Sequence, residues 1–259
     1  MKQERENNFN YRKVILVIAI PFLMIILLLS LSGYLGEISL YFELTSHFKV
    51  QYLWLSCILT IFVAIADRKK WLWLGLFCCF LNLAEVGHWY LPQNRNFSEV
   101  SGTESTRLLA NVNSNNNQYN KFLDLIVQEK PDTIIVQEYN IFGDKALIPL
   151  EKNYPYFLKQ PRFDNFGIAV YSKIKLDNSQ LKTFSHYDIP SFIFDLTIGD
   201  KTININTLHP LPPVKNEAFK LRNQQLMETA QSLQIGKTQI VIGDLNVTMW
   251  SPIYRKFIQ

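Results

Sequence analysis

The chain has 259 residues, 48% of them hydrophobic and only 19% charged, with a net charge of +4 from 26 basic and 22 acidic side chains. That apolar content excludes a disordered or fibrous chain, and the charge is too mild for a protein that coats nucleic acid by bulk electrostatics. The three cysteines, Cys57, Cys78 and Cys79, all lie in apolar runs, so the polar part has neither a disulfide framework nor a thiolate metal site.

Read from its start, the chain is nearly all apolar for a third of its length. Val14 to Ser32 is an unbroken apolar run behind Arg12-Lys13, Val50 to Ala66 is a second, and Trp71 to Leu91 a third. The charged tetrad Asp67-Arg68-Lys69-Lys70 separates the last two. A helix needs about 20 such residues to cross the hydrocarbon core. Residues 1–92 are therefore expected to be a membrane anchor with three transmembrane helices at about 14–32, 50–66 and 71–91. A secretory signal with Ser30-Leu31-Ser32 as cleavage site is the alternative for the first run, which exceeds the ~7–15 apolar residues of such signals.

Basic residues flank the first span (Lys2, Arg5, Arg12, Lys13) and fill the second loop (Arg68, Lys69, Lys70), while Gly33 to Lys49 carries Glu37, Glu43 and just Lys49. The positive-inside bias then predicts a cytoplasmic N-terminus in an inner or plasma membrane, with the C-terminal domain on the periplasmic or extracellular side. Trp89 and Tyr90 would sit in the outer aromatic belt. Asn82, Glu85 and His88 share one face of the third span. Interhelical hydrogen bonding is the preferred reading over an ion pathway, because no charged partner lies mid-membrane in the other two spans.

Residues 93–106 are polar and aperiodic, a linker. From 107 to 259 two rhythms alternate. Arg107–Val112, Thr133–Val136, Gly167–Ser172, Ser191–Ile198, Lys201–Leu208 and Thr238–Ile242 read as strands, with Gly199-Asp200 a hairpin turn. Tyr119, Phe122, Leu123 and Ile126 recur at helical spacing, as do Phe219, Leu226, Ala230 and Leu233. The expectation is a layered mixed α/β domain.

What ends each strand is informative. The first ends in Asn111, with Asn113 close by; the second in Glu138; that through Leu208 in His209-Pro210; the last in Gly243-Asp244-Leu245-Asn246. Each alone is explained by turn chemistry, but ligand sites in α/β sheets form outside the carboxyl ends of strands. A carboxylate (Glu138) and an amide oxygen (Asn111) are hard ligands suited to Mg²⁺ or Mn²⁺. Asp244 could deprotonate a water, Asn246 could donate to a phosphate oxygen, and His209 could donate to a phosphorane. Those groups suit metal-assisted phosphodiester hydrolysis.

At these motifs the chain resembles the endonuclease/exonuclease/phosphatase (deoxyribonuclease I-like) superfamily, which includes apurinic endonucleases, neutral sphingomyelinases and inositol polyphosphate 5-phosphatases. The matching stretches, in the family's order, are RLLANVN, PDTIIVQE, GIAVYSK, TLHPLPP and VIGDLNVTMWSP, spanning Arg107 to about Pro252. The fused apolar region resembles a membrane-anchored bacterial branch. The resemblance implies a four-layer α/β sandwich, two packed mixed sheets flanked by helices. It implies Asn111 and Glu138 at the metal, Asp244 and Asn246 serving nucleophile and phosphate, and His209 on the scissile phosphate, with Asn113 as the fallback asparagine. The expected partners are a phosphoester substrate (nucleic acid or lipid head group) and the bilayer; no protein partner is inferable.

One departure matters. The family adds further strands, a metal-site aspartate and a terminal Asp-His pair, whereas here no histidine follows His209 and no aspartate follows Asp244. The domain is therefore expected to be incomplete, inactive and unstable on its own, with Ile134, Val136, Ile240 and Ile242 partly uncovered. Two functional readings stand at this point: a membrane-tethered phosphohydrolase, or a non-catalytic membrane protein whose α/β remnant binds a partner or phosphate.

Overall fold

The computed structural model describes residues 2–91 and 104–259, with side chains from Tyr11 onward in the first helix. Most of the expected linker lies outside the described residues. The chain divides into two compact units, Met1–Asn96 together with Val247–Gln259, and Phe97–Asn246.

In the first unit, α1 (Lys2–Ser32) leads through a single tight turn to α2 (Leu40–Ser46), α3 (Lys49–Ile65) and α4 (Lys69–Tyr90). Two stretches, Tyr11–Leu35 and Lys69–Tyr90, are long and apolar enough to cross a membrane; α2 and α3, bent by 60°, make a third only if counted as one span. The reason is length. At 1.5 Å per residue the 17 residues of α3 reach about 26 Å, short of the ~30 Å hydrocarbon core. Ser39 starts α2 by accepting a hydrogen bond from the Tyr41 amide, a capping position the apolar-run reading passed over.

Ala19, Leu23, Val63 and Cys78 form the seam between α1, α3 and α4. Polar groups inside the unit find each other. The Ser30 hydroxyl donates to Asn82 Oδ1 at 3.0 Å, and buried Lys49 donates to the Ser30 carbonyl at 2.7 Å. Tyr34 donates to Glu85 at 2.6 Å. Asn82 thus bonds between helices, as expected. The charged partner of Glu85 is Arg255, which lies in neither of the other two spans. That partner comes from far along the sequence, where span-by-span reading could not see it.

The second unit is built on two four-stranded mixed sheets. Strands β1 (Arg107–Asn111), β2 (Thr133–Gln137), β3 (Tyr156–Gln160) and β4 (Ile168–Ser172) form the first, in the order β1-β2-β4-β3. Strands β5 (Asp177–Phe184), β6 (Ile189–Ile198), β7 (Lys201–Thr207) and β8 (Gln239–Ile242) form the second, in that order. Only β1–β2 and β7–β8 are parallel. The crossover of the first pair contains α5 (Tyr119–Glu129) and that of the second α7 (Asn216–Ser232); α6 (Ile141–Ala146) follows β2. The final helix, α8 (Pro252–Phe257), belongs to the first unit.

Side-chain alternation explains the packing. In β2, Ile134 and Val136 point toward α5, where Tyr119, Phe122 and Ile126 cover them. Ile135 points the other way, joining Ile168, Val170, Phe192, Phe194, Leu196 and Ile205 in the core between the sheets. Ile134 and Val136 are fully buried, contrary to expectation, because α5 and the Tyr139–Tyr154 segment close over them. Ile240 and Ile242 are half-buried, as expected.

Candidate active site

Parallel pairing sets carboxyl ends side by side. Asn111 is in register with Gln137, and Thr207 with Ile242, so each sheet offers two adjacent strand ends. One residue joins them. Gln137 is fully buried on the inter-sheet face of β2; its Nε2 donates to the Leu208 carbonyl at 2.9 Å and its Oε1 accepts the Asp244 amide at 2.9 Å. Gly243 makes that approach possible, since a Cβ there would lie 1.7 Å from the Leu208 oxygen.

On the first sheet, Asn111 Nδ2 donates to Glu138 Oε1 at 2.9 Å, and the Ser114 amide and hydroxyl donate to Glu138 Oε2 at 2.9 and 3.2 Å. Glu138 holds a left-handed backbone conformation (φ 58°), a strained state for a non-glycine residue that clusters at functional sites. Asn111 is the asparagine that meets Glu138. Asn113 instead uses its Oδ1 on the Asn115 amide within the polar turn.

On the second sheet, Asp244 Oδ1 accepts the Asn246 amide at 3.0 Å, and Asn246 Nδ2 donates to the Pro210 carbonyl at 2.9 Å. This ties the last strand's turn to the His209-Pro210 segment. His209 is 4% exposed, its ring 5.4 Å from that of Phe166, and its Nδ1 is buried without a partner. Burial pushes the His209 pKa below the ordinary 6.5, while the carboxylates of Asp244 and Glu138 pull it partly back. Asp244 is exposed and Glu138 half-buried, so the cup is open to solvent.

Sequence reasoning missed the groups that hold these side chains. Arg222 of α7 is fully buried and donates through Nη1 to the Asn246 carbonyl at 2.6 Å. Its signal was legible: it falls between Phe219 and Leu226 on the apolar stripe, where an arginine needs a buried acceptor. Gln137 gave a weaker signal, the one amide in TIIVQ, on the same face as Ile135.

Among the described residues no group of three or more His, Cys, Asp or Glu side chains converges as a metal cage. The Glu138 carboxylate, open to solvent, fits a hard cation that completes its shell with water and substrate oxygens; the Asn111 group that faces it is Nδ2, while Asn111 Oδ1 accepts the Asn113 amide, so the Asn111 amide would turn over to join such a shell.

The family model for the endonuclease/exonuclease/phosphatase family matches residues 108–258. No curated protein matches the chain. Among solved structures, D. rerio TDP2 complexed with a single-strand DNA product shows 19% identity and a TM-score of 0.50, over 59% of this chain and 64% of its own. TDP2 from C. elegans gives 16% and 0.50, over 77% and 67%. Sphingomyelinase C from Streptomyces griseocarneus gives 15% and 0.45, over 60% and 69%. The chain thus spans about two thirds of the length of the structures it matches.

Proposed function

Since the chain belongs to the endonuclease/exonuclease/phosphatase family, we propose that the cup at the four strand ends hydrolyses phosphoesters by attack of water. The observation that carries this reading is the Gln137 bridge, which brings the Asn111–Glu138 pair and the Asp244–Asn246 turn to one seam.

Glu138 and Asn111 would hold Mg²⁺ or Mn²⁺, which when bound draws charge from a phosphoryl oxygen. Asp244, exposed and anchored through its backbone, is placed to accept the proton of a water. One Asn246 N–H is used on Pro210, leaving the other for a phosphate oxygen. His209, whose charged form burial disfavours, would meet charge that grows on the phosphorane through Nε2, since its Nδ1 is sealed from solvent.

The substrate class is a phosphodiester of a nucleic acid or a lipid head group. The apolar helices support tethering to a membrane, and the basic residues Arg12, Lys13, Arg68, Lys69 and Lys70 against Glu37 and Glu43 support an outward-facing catalytic unit. Phe219 and Leu226 of α7 are buried, which supports α7 as the fourth layer of a sandwich. Among the described residues no group of three His, Cys, Asp or Glu side chains converges, which leaves a second reading, a phosphate-binding module without turnover.

One experiment separates them. The full chain in detergent should turn over bis-p-nitrophenyl phosphate only with Mg²⁺ or Mn²⁺, and Glu138→Ala should lower the rate on the order of 100-fold. Zero turnover with retained Mn²⁺ binding would replace hydrolysis by the binding reading.

A further inference from the structure

A non-glycine residue stays left-handed only where its surroundings over-determine it, and Glu138 (φ 58°) is held in two ways. The first hold is on the backbone just after it. The Tyr139 amide donates to the Gly167 carbonyl at 2.9 Å, and the Tyr139 carbonyl accepts the Arg162 amide at 3.1 Å. Tyr139 is fully buried, and its hydroxyl donates to Asp144 Oδ1 at 2.7 Å.

The second hold is on the carboxylate. Both donors on Glu138 Oε2 come from Ser114, in the turn that follows β1. That turn is otherwise tied to itself: Asn113 Oδ1 accepts the Asn115 amide, the Asn113 carbonyl accepts the Asn116 amide, and Asn116 Oδ1 accepts the Gln118 amide. Among the described residues, the hydrogen bonds that join Ser114 to another element end on Glu138 and Asn140. Asn140 is 8% exposed, and both polar atoms of its side chain are engaged. Its Nδ2 donates to the Ser114 carbonyl at 2.7 Å, while its Oδ1 caps α6 by accepting the Phe142 and Gly143 amides, each at 2.9 Å. One side chain thus has two separable tasks. The oxygen starts a helix, and the nitrogen holds the turn that grips Glu138.

We propose that Asn140 is a positioning residue for Glu138, acting through Ser114, and that this grip leaves Oε1 as the oxygen with which Glu138 meets a divalent cation. The inference rests on the reading of Glu138 as the carboxylate that holds Mg²⁺ or Mn²⁺. Oε2 is occupied by the Ser114 amide and hydroxyl, whereas Oε1 accepts Asn111 Nδ2, which leaves when that amide turns over. A carboxylate fixed in advance binds without first losing rotamer freedom. Loosening Ser114 therefore weakens cation binding rather than the chemical step.

The test is Mn²⁺ titration of the full chain in detergent, followed by the electron paramagnetic resonance signal of the free ion. Metal-free thermal unfolding and turnover of bis-p-nitrophenyl phosphate are measured in parallel. Serine caps a helix as well as asparagine does, but it is too short to reach Ser114. Asn140→Ser should keep the wild-type Tm and raise the Kd for Mn²⁺ about tenfold. The Mn²⁺ concentration for half-maximal turnover should rise by the same factor, with kcat at saturating Mn²⁺ little altered. Ser114→Ala should raise the Kd less, since the backbone amide remains, and the double variant should fall short of the product of the single effects. An unchanged Kd in Asn140→Ser, or one raised only together with a lowered Tm, overturns the proposal. If Asn140→Ser does not fold, Asn140→Thr gives the same readout. Equal Kd values for the wild type and Glu138→Ala end the metal reading of Glu138 itself. A wild type that binds Mn²⁺ without turnover leaves the affinity series to decide.

Discussion

At the scale of single residues, the cup is shaped by two side chains that touch no solvent. Replacing Gln137 by Leu would leave the Leu208 carbonyl and the Asp244 amide unmet at the seam. Each unmet buried group costs about 1–3 kcal/mol, so thermal unfolding of Gln137→Leu should show a clearly lowered Tm, with kcat reduced as Asp244 loses its anchor. An unchanged Tm would mean that water replaces the bridge. His209 sets a pH dependence. Its folded pKa lies below the ordinary 6.5, so between those values the unfolded chain binds the extra proton and stability falls as pH drops through that window. Each unit of depression is worth about 1.4 kcal/mol. Chemical denaturation between pH 7.5 and 5 should show this decline, and His209→Asn should flatten it. The candidate residues were legible because each ends an apolar strand; Gln137 and Arg222 were not, because a polar residue inside an apolar rhythm reads as noise until its acceptor is known.

At the scale of elements, α5 ends at a position that glycine would fill more easily. Lys130 is left-handed there (φ 49°, ψ 44°), a conformation that burdens any residue with a Cβ. Lys130→Gly should stabilise the domain by about 0.5–1 kcal/mol, read as a raised denaturation midpoint; a lowered midpoint would mean that the lysine stem packs usefully. The six strands read from the sequence are all present, and each of them contributes to the core between the sheets or to the layer beneath α5. β3 and β5 were missed for a shared reason. They are the outer members of their sheets, and a strand such as DNSQLKTF, mostly exposed, has no apolar alternation to betray it. α8 was missed because PIYRKF is too short for helical periodicity to register. The apolar runs gave the positions of α1, α3 and α4 well, since lipid-facing and buried sides are both apolar and composition alone marks them.

At the scale of the whole molecule, the last 13 residues belong with the helices rather than with the sheets. A chain of residues 104–259 would carry Ile253 and Phe257 without the surface that buries them. It should yield less soluble protein than a chain of residues 104–246, measured by size exclusion after expression at equal level. Equal yields would show that the segment finds another seat. The two outer strands of the second sheet differ in a way that bears on handling the protein. β5 is polar and its pairing slips between Asp177 and Gln180, an irregularity that discourages a foreign strand from zipping on. Among the described residues, β8, reading QIVI, pairs with no strand on the side away from β7. Its unclaimed amides and carbonyls invite self-recruitment, so fibrillar or oligomeric by-products should grow with concentration, and a lysine gatekeeper at Gln239 should suppress them.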